Sequence, residues 1–70
     1  MTLNQIDEAA YSNIDILPRL IDDIDKIYYL AMVSMYEAYR AGGITQACAQ
    51  IHRRAVVHNI RRERRKNQAN

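Results

Sequence analysis

Residues 18–41 read PRLIDDIDKIYYLAMVSMYEAYRA, and the period of that stretch decides the fold. With the residue before it, Leu17, Ile21, Ile24, Tyr28, Ala31, Met35 and Ala38 follow a strict four-three alternation. Such a seam, sustained over about three heptads, is the signature of a helix packed along one face. Pro18 belongs in the first turn of that helix, with Asp15 as the cap before it. Nothing interrupts the pattern before Ala41, so residues 18–41 are predicted to form one long helix of about 36 Å. Leu20, Ile27, Leu30, Met32, Val33, Tyr36 and Tyr39 add apolar surface on its flanks. A helix apolar on most sides must be buried on most sides, and one short helix of the same chain cannot cover it. The expected architecture is therefore all-α, with three or four helices around a long central one, assembled as a helical homodimer. Ile21, Ile24, Tyr28, Ala31 and Met35 from the seam, together with Tyr36 and Tyr39, are the candidate protein-interface residues. Tyrosines suit that role because they bring area at low entropy cost.

Upstream, Thr2 followed by Gln5 fits a capping box. Leu3, Ile6, Ala10 and Ile14 then mark one face of an amphipathic first helix. Ser12-Asn13 and Pro18 predict a break near residues 13–17. Asp22, Asp23 and Asp25 sit near the N-terminal end of the long helix, where acids oppose its positive pole favourably. They do not share one face, so a metal site is not expected there.

Downstream, Gly42-Gly43 ends the long helix, one glycine suiting the left-handed position after the last turn. Thr45 starts the next. In residues 44–66 the apolar stripe changes sides. Ile44, Ala47, Cys48, Ile51 and Ala55 share one face, while Val56, Val57 and Ile60 fall on roughly the opposite one. Either the chain turns near His52-Arg53-Arg54, or one helix is gripped from two sides. No Gly, Pro, Ser or Asn occupies 52–55, which favours one continuous helix. The order Thr45-Gln46, Ala47-Cys48, Ile51, Val56-Val57, Ile60 superficially resembles a helix-turn-helix. It departs from that pattern in having His52 and Arg53 where the turn glycine belongs, and in a spacing about one residue off.

Seventy residues with a net charge of +2 make one domain, spanning residues 1–70 with a basic C-terminal helix or tail from about residue 52. A chain this short has a modest core, and Cys48 alone forms no intrachain disulfide, so self-association is the expected extra source of stability. No apolar run reaches the roughly 18 residues of a membrane span. MTLNQIDEAA lacks the basic start of a secretory signal, so a cytoplasmic location is expected. The net charge hides an asymmetry. Residues 1–39 hold seven acids and two bases, −5; residues 40–70 hold eight bases and one acid, +7. An acidic body with a basic end points to two surfaces with different partners, or to an acidic body pairing with the basic end of a neighbouring copy.

The basic end carries Arg53, Arg54, Arg61, Arg62, Arg64, Arg65 and Lys66. On a continuous helix Arg53, Arg54, Arg61, Arg64 and Arg65 fall within a sector of roughly 120°, with Arg62 and Lys66 outside it. The guanidinium fork donates two hydrogen bonds to a phosphate at once. These seven residues are the candidate nucleic-acid contacts. An acidic protein surface is the second reading, and a solvated helix end favoured by its dipole is the third. Tyr28, Tyr29, Tyr36 and Tyr39 lie away from the arginines in sequence, which argues against a base-stacking platform. Cys48 and His52 are two ligands, too few for zinc, and Cys48 reads as a small core residue. No phosphate loop or nucleophile-base-acid set is present. The expectation is a non-enzymatic nucleic-acid-binding accessory protein, without cofactor, metal or small-molecule substrate. The alternative is an inhibitor or adaptor docking on a larger protein.

Overall fold

The computed structural model of the chain describes residues 1–69, with side chains through Lys66; Asn70, at the end of the expected domain, lies outside the described residues. The architecture is all-helical. Helix α1 spans Leu3–Tyr11, a single 3-10 turn spans Leu17–Arg19, α2 spans Asp23–Arg40 and α3 spans Gln46–Ala69. No helix among the described residues is long and apolar enough to cross a membrane.

Local chemistry sets each boundary. The Thr2 hydroxyl accepts from Gln5 N–H at 3.2 Å, and the Gln5 side chain accepts from Thr2 N–H at 2.8 Å. The predicted capping box is thus complete. Helix α1 ends in a Schellman motif: Ile14 N–H reaches back to the Ala9 carbonyl at 2.9 Å, and Asn13 N–H to that of Ala10 at 3.4 Å. Asn13 takes the left-handed position, with φ 59°, which asparagine tolerates better than most residues. Helix α2 ends the same way. Gly43 N–H bonds the Ala38 carbonyl at 2.9 Å and Gly42 N–H that of Tyr39 at 3.1 Å. Here the left-handed residue is Gly42, φ 77°.

The long helix is shorter than its periodicity predicts. It begins at Asp23, not Pro18. Asp15 caps neither the long helix nor the 3-10 turn, whose cap position is Ile16 without a side-chain bond; its carboxylate instead accepts from Leu17 N–H, two residues on, at 3.1 Å, which holds the chain in an Asx turn. Pro18 sits in the 3-10 turn, and the chain then extends through Leu20 and Asp22 before Asp22 caps α2 by accepting from Ile24 N–H at 2.8 Å. The physical reason lies in the core. The extended step at Leu20 lets both Ile16 and Leu20 bury beneath the helices, at 2% and 6% exposure. Continuing the helix through the seam would bury Ile21 instead, which is 93% exposed. The longest helix is consequently α3, with 24 residues against 18 for α2.

Helices α1 and α3 both pack on α2. Tyr28, Ile6 and Met32 are the largest fully buried side chains, joined by Ala10, Ile16, Leu20, Tyr29, Met35, Ala49 and Ile60. Leu3, Ile24, Ala31, Tyr36, Val56 and Val57 pack around them half-buried. The chain's own α1 and α3, with Ile16 and Leu20 of the connecting segment in the same core, cover the inner face of α2. That is more cover than one short helix provides, because residues 14–22 act as a fourth packing segment. The Tyr29 hydroxyl donates to the Ile14 carbonyl at 2.8 Å and ties this segment to α2.

Candidate nucleic-acid interface

Helix α3 is continuous through His52-Arg53-Arg54, so the change of apolar side is resolved without a turn and the helix-turn-helix order is not realised. Thr45 caps its start, its hydroxyl accepting from Cys48 N–H at 3.2 Å. The face laid on the core is Ala49, Arg53, Val56, Val57, Ile60 and Arg64, at spacings of three and four. Two arginines therefore stand in the apolar stripe. Cys48 and Ile51, by contrast, are exposed. The expectation that Cys48 is a core residue is corrected: one position further on, Ala49 faces α2 at 8% exposure, and the smaller side chain allows the two helices to approach.

Each arginine in the stripe has an acid waiting. Arg53 Nε lies 3.2 Å from Asp7 Oδ2 of α1, and Arg64 Nη2 pairs with Asp25 Oδ1 at the start of α2. Both carboxylates are only 13% exposed. Asp7 also accepts from the Tyr36 hydroxyl at 2.8 Å, so α1, α2 and α3 meet on one carboxylate. Burial pushes the Tyr36 phenol up to about 12, reinforced by that hydrogen bond and by the Asp7 charge, while Arg53 opposes the rise. Asp7 and Asp25 escaped the sequence reading as functional residues, yet a signal was present. Asp7 stands one turn from Leu3 on α1, and Asp25 stands beside Ile24 and one turn from Tyr28; acids so close to buried stripes need cationic partners.

The remaining cations divide cleanly. Arg54, His58, Arg61 and Arg65 repeat at spacings of four, three and four, and line one open groove of about 820 Å³ along α3. Arg53, Arg64, Val57, Tyr28 and the first turn of α1, at Leu3 and Asn4, form the rest of its wall. Among the described residues no acid lines it. All five arginines of the sequence-defined sector thus share the groove. Arg62 and Lys66 do not: Arg62 reaches Asn59 at 3.4 Å, and Lys66 pairs with Glu63 at 3.5 Å on the solvent side.

The interface candidates also divide. Tyr28 and Met35 are consumed in the chain's own core; Ile24, Ala31 and Tyr36 are half-buried; Ile21 and Tyr39 are exposed. The tyrosines end up nearer the arginines than their sequence separation implied. Tyr11, Tyr36 and Tyr39 line a smaller groove of about 280 Å³ that ends at Arg53. Tyr11 meets Tyr36 edge-to-face, with centroids 5.3 Å apart, and Arg40 lies over the Tyr11 ring at 5.5 Å. Cys48 and His52 do share a face, beside Ala31, Ser34 and Ala38. No three His, Cys, Asp or Glu side chains converge on a metal-sized site among the described residues. Compared with known proteins, the chain matches no family model, no curated protein and no solved structure.

Proposed function

We propose that this chain is a non-enzymatic nucleic-acid-binding protein whose α3 lies along a phosphate backbone. One observation carries the reading: the stripe Arg54, His58, Arg61 and Arg65 lines an open groove without an acid, while Asp7 and Asp25 are already held by Arg53 and Arg64. Cations without an acidic partner among the described residues, aligned on one helix face, suit a polyanion. The test follows that division. Replacing Arg54, Arg61 and Arg65 with Gln keeps good helix formers in place and should leave the circular dichroism unchanged. The slope of log affinity against log salt should shrink by up to about three, near one per lost phosphate contact. Unchanged binding and slope would overturn the proposal.

A second reading concerns assembly. Ile27 and Leu30 lie on the outer side of α2, 61% and 50% exposed, and Ile21 precedes them. We propose that this outer side of α2 mediates the homodimer. Light scattering at micromolar concentration should then give twice the chain mass. Ile27→Glu with Leu30→Glu should give a folded monomer, since both side chains are exposed and neither holds the core. A parent that is monomeric throughout would sink this reading.

A further inference from the structure

Tyr28 is wholly buried at 0% exposure, and its hydroxyl has no hydrogen-bond partner. Tyr28 also lines the cationic groove. A buried tyrosine hydroxyl ordinarily finds a partner, and leaving one without is costly. The groups around it explain why its proton has no acceptor. Arg53 and Arg61 are the cations near the phenol, and guanidiniums only donate. If Arg53 lends a hydrogen to the phenol oxygen, the phenol's own O–H still lacks an acceptor. Asp7, the acid whose charge bears on the phenol, accepts from Tyr36 and is ion-paired with Arg53, whose Nε, although 3.2 Å away, makes no hydrogen bond. Leu3 and Asn4, which line the same wall, form the first turn of α1, whose N–H groups have no acceptor within the helix. Among the side chains that line the groove, five arginines only donate, and acceptor atoms come from Asn4, His58 and the phenol oxygen alone, with no carboxylate.

We propose that the inner end of this groove, at Tyr28, Arg53 and Arg61 beside the α1 N-terminus, is a seat for a phosphoryl oxyanion, to which Tyr28 donates its hydroxyl proton. The charge count agrees. The groove holds five arginines against the two acids behind them, leaving +3 with His58 neutral. The seat itself rests on the buried hydroxyl and the donors around it. Only the source of the phosphoryl group rests on the nucleic-acid reading above. In that reading one phosphate enters end-on at Tyr28 while the outer stripe follows the backbone.

The experiment separates the two. Melting temperature is measured for the parent and Tyr28→Phe in inorganic phosphate and in chloride at matched ionic strength. Phosphate should stabilise the parent beyond chloride by ligand linkage, and Tyr28→Phe should lose most of that excess. Tyr28→Phe without phosphate should be as stable as the parent or more so, because it removes an unpaired buried hydroxyl; this keeps a binding defect distinct from misfolding. Equal effects of phosphate and chloride on the parent, or a full phosphate excess in Tyr28→Phe, would overturn the seat. Binding of one single-stranded oligonucleotide with and without a 5′-phosphate then identifies the source. Tightening of at least about fivefold by the 5′-phosphate, absent in Tyr28→Phe, supports a terminal phosphate. Equal affinities that both weaken in Tyr28→Phe support a backbone phosphate. A phosphate excess lost in Tyr28→Phe, with neither oligonucleotide bound, supports the seat while the nucleic-acid reading fails.

Discussion

Tyr36 shows how one side chain ties folding to pH. Its phenol is held neutral by burial and by donation to Asp7, with its ionisation raised from 10.0 to about 12. The folded chain therefore keeps this proton more tightly than the unfolded chain does. Its contribution to stability is fully present below pH 10 and is lost as pH rises towards 12. The melting temperature of the parent should fall across that window more steeply than that of Tyr36→Phe. The variant retains part of the fall, because Tyr28 is also raised by burial. Identical pH profiles for the two proteins would remove Tyr36 from this account.

At the scale of elements, the two Schellman motifs place different demands on their left-handed residues. Gly42 stands at φ 77° and a Cβ added there would meet nothing within 4 Å, so the strain of an alanine is in the backbone alone. Gly42→Ala should cost about 1 kcal/mol, the usual penalty for a non-glycine residue in this region. At Gly43 an added Cβ would meet the Ala38 carbonyl oxygen at 3.4 Å, an ordinary contact, and no left-handed φ is required. Gly43→Ala should cost clearly less. Urea denaturation of both variants checks the order. Equal losses would mean that the pair acts as a loose hinge rather than as a defined C-terminal cap.

Over the whole molecule, the acidic half and the basic half meet within one chain. Asp7–Arg53 and Asp25–Arg64 bridge helices distant in sequence, so part of the charge asymmetry is structural and only the remainder is free for a partner. This division is measurable in stability alone. Arg64→Gln leaves the mostly buried Asp25 without its cation and should cost about 1 kcal/mol, between the values for surface and buried pairs. Arg61→Gln touches no acid and should be near neutral. A chemical-denaturation midpoint that moves equally for both would show that the Arg64 pair adds nothing to the fold.

Much of the helical layout follows from short-range chemistry that sequence displays directly. The capping box at Thr2, the break after Ser12-Asn13, the stop at Gly42-Gly43 and the uninterrupted run through residues 52–55 all depend on backbone groups and side chains within four residues of one another. Tertiary packing decided what lies beyond that range. The start of α2 moved from Pro18 to Asp23, because burying Ile16 and Leu20 together outweighed extending a regular seam through Ile21. The buried face of α3 likewise could not be read from its apolar residues alone. Arg53 and Arg64 occupy it only because Asp7 and Asp25, carried by other helices, are there to neutralise them. A guanidinium's cost of burial depends on a partner 39 or 46 residues away in the chain, and no local period records that distance.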